Sequence, residues 1–176
     1  RTARAMARRL AHERTRLGIA RSFQIPRPFR TMTVLENLMV PFAYVGGISG
    51  ARAQSQAREI LAQMRLIDKA DTLASQLSQV ELRKMELARA MAAQPKLLIS
   101  DEAMAGLAGA EVDEVLKILF DLNGLGITII MIEHIMQAVM TFSQRVICLD
   151  TGSVICVGTP ETVVKNPQVQ RAYLGH

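Results

Sequence analysis

The chain has no tryptophan, and aromatic residues make up only 4% of it. So few rings argue against a stacking platform of the kind that grips single-stranded nucleic acid. Cysteines number two, Cys148 and Cys156, too few for a disulfide scaffold or a four-cysteine zinc site. No apolar run reaches the roughly 18 residues that would span a bilayer. No secretory signal is visible. What is present has a globular balance: 176 residues, 49% hydrophobic and 21% charged. That bounds the chain to one domain of ordinary size, with room for a small subdomain, and excludes wholesale disorder.

The formal charge is +5, and its location decides what it means. Residues 1–30 hold nine arginines against one acid, Glu13, a local balance of +8, so the remaining residues sum to −3. The basicity belongs to one end. A solvated helix face accounts for it, and so does a patch near phosphates or acidic lipid. No nucleic-acid partner is expected from charge confined in this way.

Periodicity organises the chain into three parts. Residues 1–16 read as a helix, rich in Ala and Arg, with Met6 and Leu10 four apart and Gly18 as its stop. Ile19 to Phe23 reads as a short strand with Gln24 directly after it. The run Ile25-Pro-Arg-Pro28 then breaks regular structure. Residues 33–93 read as helical. Thr33 with Glu36 three positions on is a capping-box pattern. Helices are expected over 51–66 and 79–93, with a glycine loop at 46–50 between the first pair and Pro95 closing the last. From residue 96 strands and helices alternate. Leu97 to Ile99 and Ile127 to Ile132 read as strands, the second as a parallel strand buried on both faces. Glu111 to Asn123 reads as an amphipathic helix. Val146–Leu149 and Val154–Val157 flank a turn at Asp150–Ser153, and two short helices follow, beginning near Pro160 and Pro167. The fold class expected is α/β, a parallel sheet core interrupted by a helical insert.

The chemistry gathers at strand ends. Asp101 and Glu102 stand where open α/β sheets bind ligands, outside the carboxyl end of a strand. Successive side chains diverge, so one carboxylate can hold Mg²⁺ while the next orients an attacking water. A plain strand-to-loop turn carries solvated acids as well. The second apolar strand ends at Glu133-His134, and a histidine there can donate to a phosphate oxygen. It can equally be satisfied by local backbone. If the two strands are parallel neighbours, both ends open into one crevice. Gln24 can touch Mg²⁺ or water without adding charge, or can be an ordinary loop residue.

These motifs, taken in order, resemble the nucleotide-binding subunits of ABC transporters. The order is Gln24 after a strand, Leu77-Ser78 opening a helix, Glu86-Leu-Ala-Arg-Ala90, Leu97 to Glu102, Ala105-Gly106-Leu107 and Ile132-Glu133-His134. Gly18-Ile-Ala-Arg-Ser-Phe-Gln24, with Gly158-Thr-Pro160 and Ala172-Tyr-Leu-Gly175, looks most like the branched-chain amino acid uptake branch. The resemblance implies a partial P-loop NTPase-type parallel core with a helical subdomain. Residues 1–30 would be a core remnant with the Q-loop, 31–93 the helical subdomain with the signature segment, and 94–176 the α/β core. ATP and Mg²⁺ would be the cofactors. Asp101 would be the magnesium carboxylate of the Walker B strand, with Gln24 a second contact to the metal. Glu102 would be the general base, His134 the switch histidine near the γ-phosphate, and Ser78 a contact to nucleotide on an opposing subunit. Ala105 to Ala108 would be the D-loop. The partners implied are transmembrane permease subunits and a second ATP-binding subunit, identical or paralogous, at the cytoplasmic face of the cell membrane. An interaction module that docks without hydrolysis is the alternative.

The sequence departs from the family pattern at several points. The signature usually reads Leu-Ser-Gly-Gly-Gln and here reads Leu77-Ser-Gln-Val-Glu81. Val80 replaces a glycine whose bare backbone admits a phosphate. Glu81 is expected to set negative charge against a docking triphosphate. Ala103 stands for the usual proline, and Ala108 for an Asp or Asn. The sequence contains no Gly-x-x-x-x-Gly-Lys-[Ser/Thr]. The resemblance then implies an N-terminally truncated member, starting at Arg1 with the phosphate-binding Walker A loop missing.

Overall fold

The computed structural model describes residues 8–174. Met6, half of the expected first helix, Gly175 and His176 lie outside the described residues. The chain divides into two compact units, Arg1–Ile132 and Glu133–His176.

The first unit opens with a short helix α1 (Ala11–Arg16) and strand β1 (Ile19–Ser22). Helices α2 (Val34–Pro41), α3 (Gly50–Gln63) and α4 (Gln79–Met91) follow, then β2 (Leu97–Asp101), α5 (Gly109–Gly124) and β3 (Thr128–Ile132). Thr33 caps α2 as its pattern implies: its side chain accepts from the Glu36 N–H, and Glu36 returns to the Thr33 N–H at 2.7 Å. Pro41 ends the α-helical run, and a single π turn, Phe42–Gly46, carries the chain onward. Val34, Leu38, Phe42, Ala53, Ala57, Leu61 and Met64 are buried to within 1% and make the helical core. The packing is α2 against α3 and α4.

The three strands form one parallel sheet in the order β1-β2-β3. Ser22 pairs with Ser100 on one side, and Asp101 with Ile132 on the other. Side chains alternate across it, as a strand's period of two requires. Ala20, Ser22, Leu98 and Ser100 are buried on one face, where α4 packs on β1 and α5 on β3. Arg21, Ile99, Asp101, Ile130 and Ile132 share the other face. There Ile130 and Ile132 are 49% and 48% exposed, which corrects the expectation that this strand is buried on both sides. The cover is uneven: Leu98 and Ser100 on the first face are fully buried, while Ile130 and Ile132 on this one are half exposed.

The second unit consists of α6 (Met136–Phe142), the antiparallel hairpin β4 (Val146–Asp150) and β5 (Ser153–Gly158), α7 (Pro160–Val164) and α8 (Pro167–Leu174). Thr151 and Gly152 turn the hairpin with φ of 48° and 79°, the paired positive values of a two-residue hairpin loop. The Thr159 side chain caps α7 and Pro160 occupies its first turn. Both α7 and α8 pack on the hairpin.

Candidate active site at the sheet edge

The carboxyl ends of β1 and β2 bring three of the singled-out side chains together, Gln24, Asp101 and Glu102, and add Arg21 to them. Arg21 Nη2 lies 2.5 Å from Asp101 Oδ2, and its guanidinium rests 5.3 Å from the Phe23 ring centroid. Three residues further on, Gln24 Nε2 donates to Glu102 Oε2 at 2.6 Å. Adjacent acids thus have separate partners, as their diverging directions imply. Glu102 has a φ of 46°, a left-handed conformation that costs a non-glycine residue about 1–3 kcal/mol. Its N–H still reaches Ile132 O at 2.9 Å, so the ladder with β3 continues one residue past Asp101.

Helix α4 ties this edge to two loops. The Arg83 side chain is carried inward, 7% exposed, and its Nη1 donates to Gln24 O while its Nη2 donates to Ala105 O at 3.0 Å. Gln79 Nε2 also donates to Ala105 O, at 3.4 Å. Nearly two turns further along, Arg89 bonds Arg27 O at 3.0 Å and Glu86 at 2.7 Å and lies over Phe29. Arg21, Gln24 and Asp101 on one side and Glu86 and Arg89 on the other line a cleft of about 520 Å³. Sequence alone assigns no site role to Arg21, Arg83 or Arg89. Spacing hides them, because an arginine on an amphipathic helix looks like a solvated residue until its carbonyl partners are placed.

Ser78 is the N-cap of α4, and it is exposed. Its hydroxyl accepts from the Glu81 N–H at 3.3 Å, and Glu81 Oε2 accepts the Ser78 N–H at 2.8 Å. Lys69 Nζ lies 3.3 Å from the other oxygen of Glu81. The hydrogen bond from the Ser78 backbone, helped by the Ser78 hydroxyl and Lys69 against the cost of burial, holds the Glu81 carboxyl below its ordinary range. Glu81 is thus an ion-paired cap of α4, and its carboxylate stays in the signature segment. Gly106, in the segment after Asp101-Glu102, has a φ of 78°, and a Cβ there would meet Gln79 Nε2 at 2.5 Å. His134 follows β3 and belongs to the second unit, where it is exposed and its carbonyl accepts from the Tyr173 hydroxyl at 3.1 Å.

The oxygen donors at this edge suit a small hard cation. Asp101 is held by the Arg21 guanidinium, which a metal ion would displace, and carboxylate and amide oxygens are donor types that Mg²⁺ prefers. Among the described residues no three His, Cys, Asp or Glu side chains form a metal cage.

A family model for ABC transporters matches residues 3–105, more than half of the chain and the whole of this edge. The chain belongs to the ABC transporter family. A second model, for branched-chain amino acid ATP-binding cassette transporters, matches residues 153–176. The chain is 39% identical to the high-affinity branched-chain amino acid transport ATP-binding protein LivG of Escherichia coli, over 91% of this chain and 69% of the relative. It is 32% identical to BraF of Pseudomonas aeruginosa, over 93% and 70%. It is 33% identical to the lipopolysaccharide export ATP-binding protein LptB of Haemophilus influenzae, over 93% and 68%. The fold matches a nucleotide-free ATP-binding cassette at a TM-score of 0.83 with 27% identity, over 96% of this chain and 73% of the other. The ADP conformation of the cassette MJ1267 matches at 0.83 and 28%. The chain is thus an ABC-type ATP-binding subunit closely related to the branched-chain amino acid transport ATPases. The reading of an N-terminally truncated member is corrected by the first match, which takes up the chain at residue 3 and runs unbroken to residue 105. No helix among the described residues is long and apolar enough to cross a membrane.

Proposed function

We propose that this chain powers an importer of branched-chain amino acids or similar solutes by binding and hydrolysing ATP at the edge of its parallel sheet. The observation that carries the proposal is the paired arrangement of Gln24 with Glu102 and Arg21 with Asp101 at adjacent strand ends. In this reading Asp101, with Gln24 beside it, holds Mg²⁺. Held there, Mg²⁺ would supply positive charge against the charge that develops on the transferred phosphoryl group. Glu102 orients and deprotonates the attacking water, its direction fixed by the left-handed backbone and by Gln24. His134 donates to the γ-phosphate from the segment after β3. Ser78, at the positive end of α4, meets phosphate bound to an opposing ATP-binding subunit. The helical stretch between residues 31 and 93 and the segment after Gln24 face the permease at the cytoplasmic side of the membrane. Arg83 carries movement of that segment to the loop at Ala105.

The test is Glu102→Gln in the assembled transporter. Turnover falls at least about a hundredfold while nucleotide binding is retained, since general-base removal typically costs 10²–10⁴. Unchanged turnover would remove Glu102 from the role. The alternative, a docking module without hydrolysis, draws on Val80 in the signature segment. It predicts no heat when Mg²⁺ and ATP are titrated into the complex in a calorimeter.

A further inference from the structure

The chain has only two cysteines, and the fold sets them opposite each other. Cys148 on β4 and Cys156 on β5 are directly paired in the antiparallel ladder, and both are free and half-buried. Directly opposed residues put their side chains on the same face of a hairpin. Their Cα atoms stand about 4.5 or 5.5 Å apart, according to the type of pair, and both values lie inside the range that a disulfide spans. The regular register ends there, with a shift between Cys148 and Leu149 that gives the rung room to adjust. Asn166, between α7 and α8, donates from Nδ2 to Cys156 Sγ at 3.4 Å and fixes the direction of that sulfur.

We propose that Cys148 and Cys156 are a dithiol modification site, which a small-molecule disulfide such as oxidised glutathione converts to a cross-strand disulfide that staples the β4–β5 hairpin. The Cys156 sulfur, as thiolate, attacks one sulfur of the oxidant. The oxidant's S–S bond breaks, one glutathione thiolate leaves and takes up a proton, and Cys156 carries a mixed disulfide. The Cys148 thiolate then attacks the Cys156 sulfur and expels the second glutathione. Two protein thiols are oxidised and one small disulfide is reduced to two thiols. Burial, with Cys156 and Asp150 adding to it, pushes the Cys148 thiol up and lowers its thiolate fraction near neutral pH, while the short distance across the rung makes its attack intramolecular.

The experiment exposes the whole chain to oxidised glutathione and reads intact mass and alkylatable thiols without reductant. The expected product is a monomer lighter by two hydrogens, with both thiols lost together and a cross-linked peptide joining β4 to β5. Cys148→Ser stops at one glutathione on Cys156. Wild-type protein that ends with two glutathiones per chain, forms disulfide-linked dimers, or keeps both thiols alkylatable overturns the proposal.

Discussion

Glu81 is a charged side chain whose partners are set by the helix it caps. Read as a bare charge in the signature segment, it opposes a phosphate. In the fold its oxygens are occupied by the Ser78 N–H and by Lys69, and its carboxyl is held below the ordinary range. A carboxyl depressed in the folded state contributes stability that is present above its unfolded value, about 4.3, and lost as pH falls through the folded one. Wild-type stability is therefore expected to drop through this acid window. Glu81→Gln keeps an N3 side chain able to reach back to Ser78 but carries no charge. Its urea midpoint is expected to fall less steeply with acid, with a change at neutral pH below about 1 kcal/mol. Equal acid slopes in the two proteins would show that Glu81 is not held low.

At the scale of elements, α4 is the part to which the edge is anchored. Arg83 reaches the carbonyls of Gln24 and Ala105 from one guanidinium, so two loops separated by more than seventy residues share one support. Arg83→Met leaves both carbonyls without that donor. Hydrogen bonds to a charged group are worth about 1.5–3 kcal/mol each, so a cost on the order of 3 kcal/mol is expected. Backbone amides of residues 24–29 and of 105–107 are expected to exchange faster together. Faster exchange in only one of the loops would break the link. The elements themselves were legible in the sequence. The Thr33 and Glu36 box, the helix that Pro95 follows, the hairpin turn at 151–152 and the two prolines opening the last helices are local signals, and local chemistry made the corresponding structures. Asp101, Glu102 and Gln24 were legible as strand-end residues, and the sheet order brought them together. Arg21 and Arg83 were not, because their meaning lies in partners far away in the chain. The burial of β3 was misread for a related reason: an apolar run reports what a strand can bury and says nothing about whether a second layer is there.

At the scale of the molecule, each unit leaves one apolar sheet face open. In the first unit Ile130 and Ile132 lie 49% and 48% exposed beside Ile99. In the second, Ile147, Leu149, Val154 and Val157 are all more than half exposed. Soluble monomers seldom keep such contiguous patches wet, so the isolated chain is expected to bind hydrophobic dyes and to self-associate as its concentration rises. Ile130→Thr with Ile132→Thr separates this surface effect from a core effect. Threonine keeps the β-branched shape that a strand accepts, and a half-exposed position loses little when a methyl becomes a hydroxyl. The double variant is expected to scatter less light at equal concentration and to unfold within about 1 kcal/mol of the parent. A loss nearer the 1.5–3 kcal/mol per side chain of full burial, with scattering unchanged, would mean that this face is covered in solution.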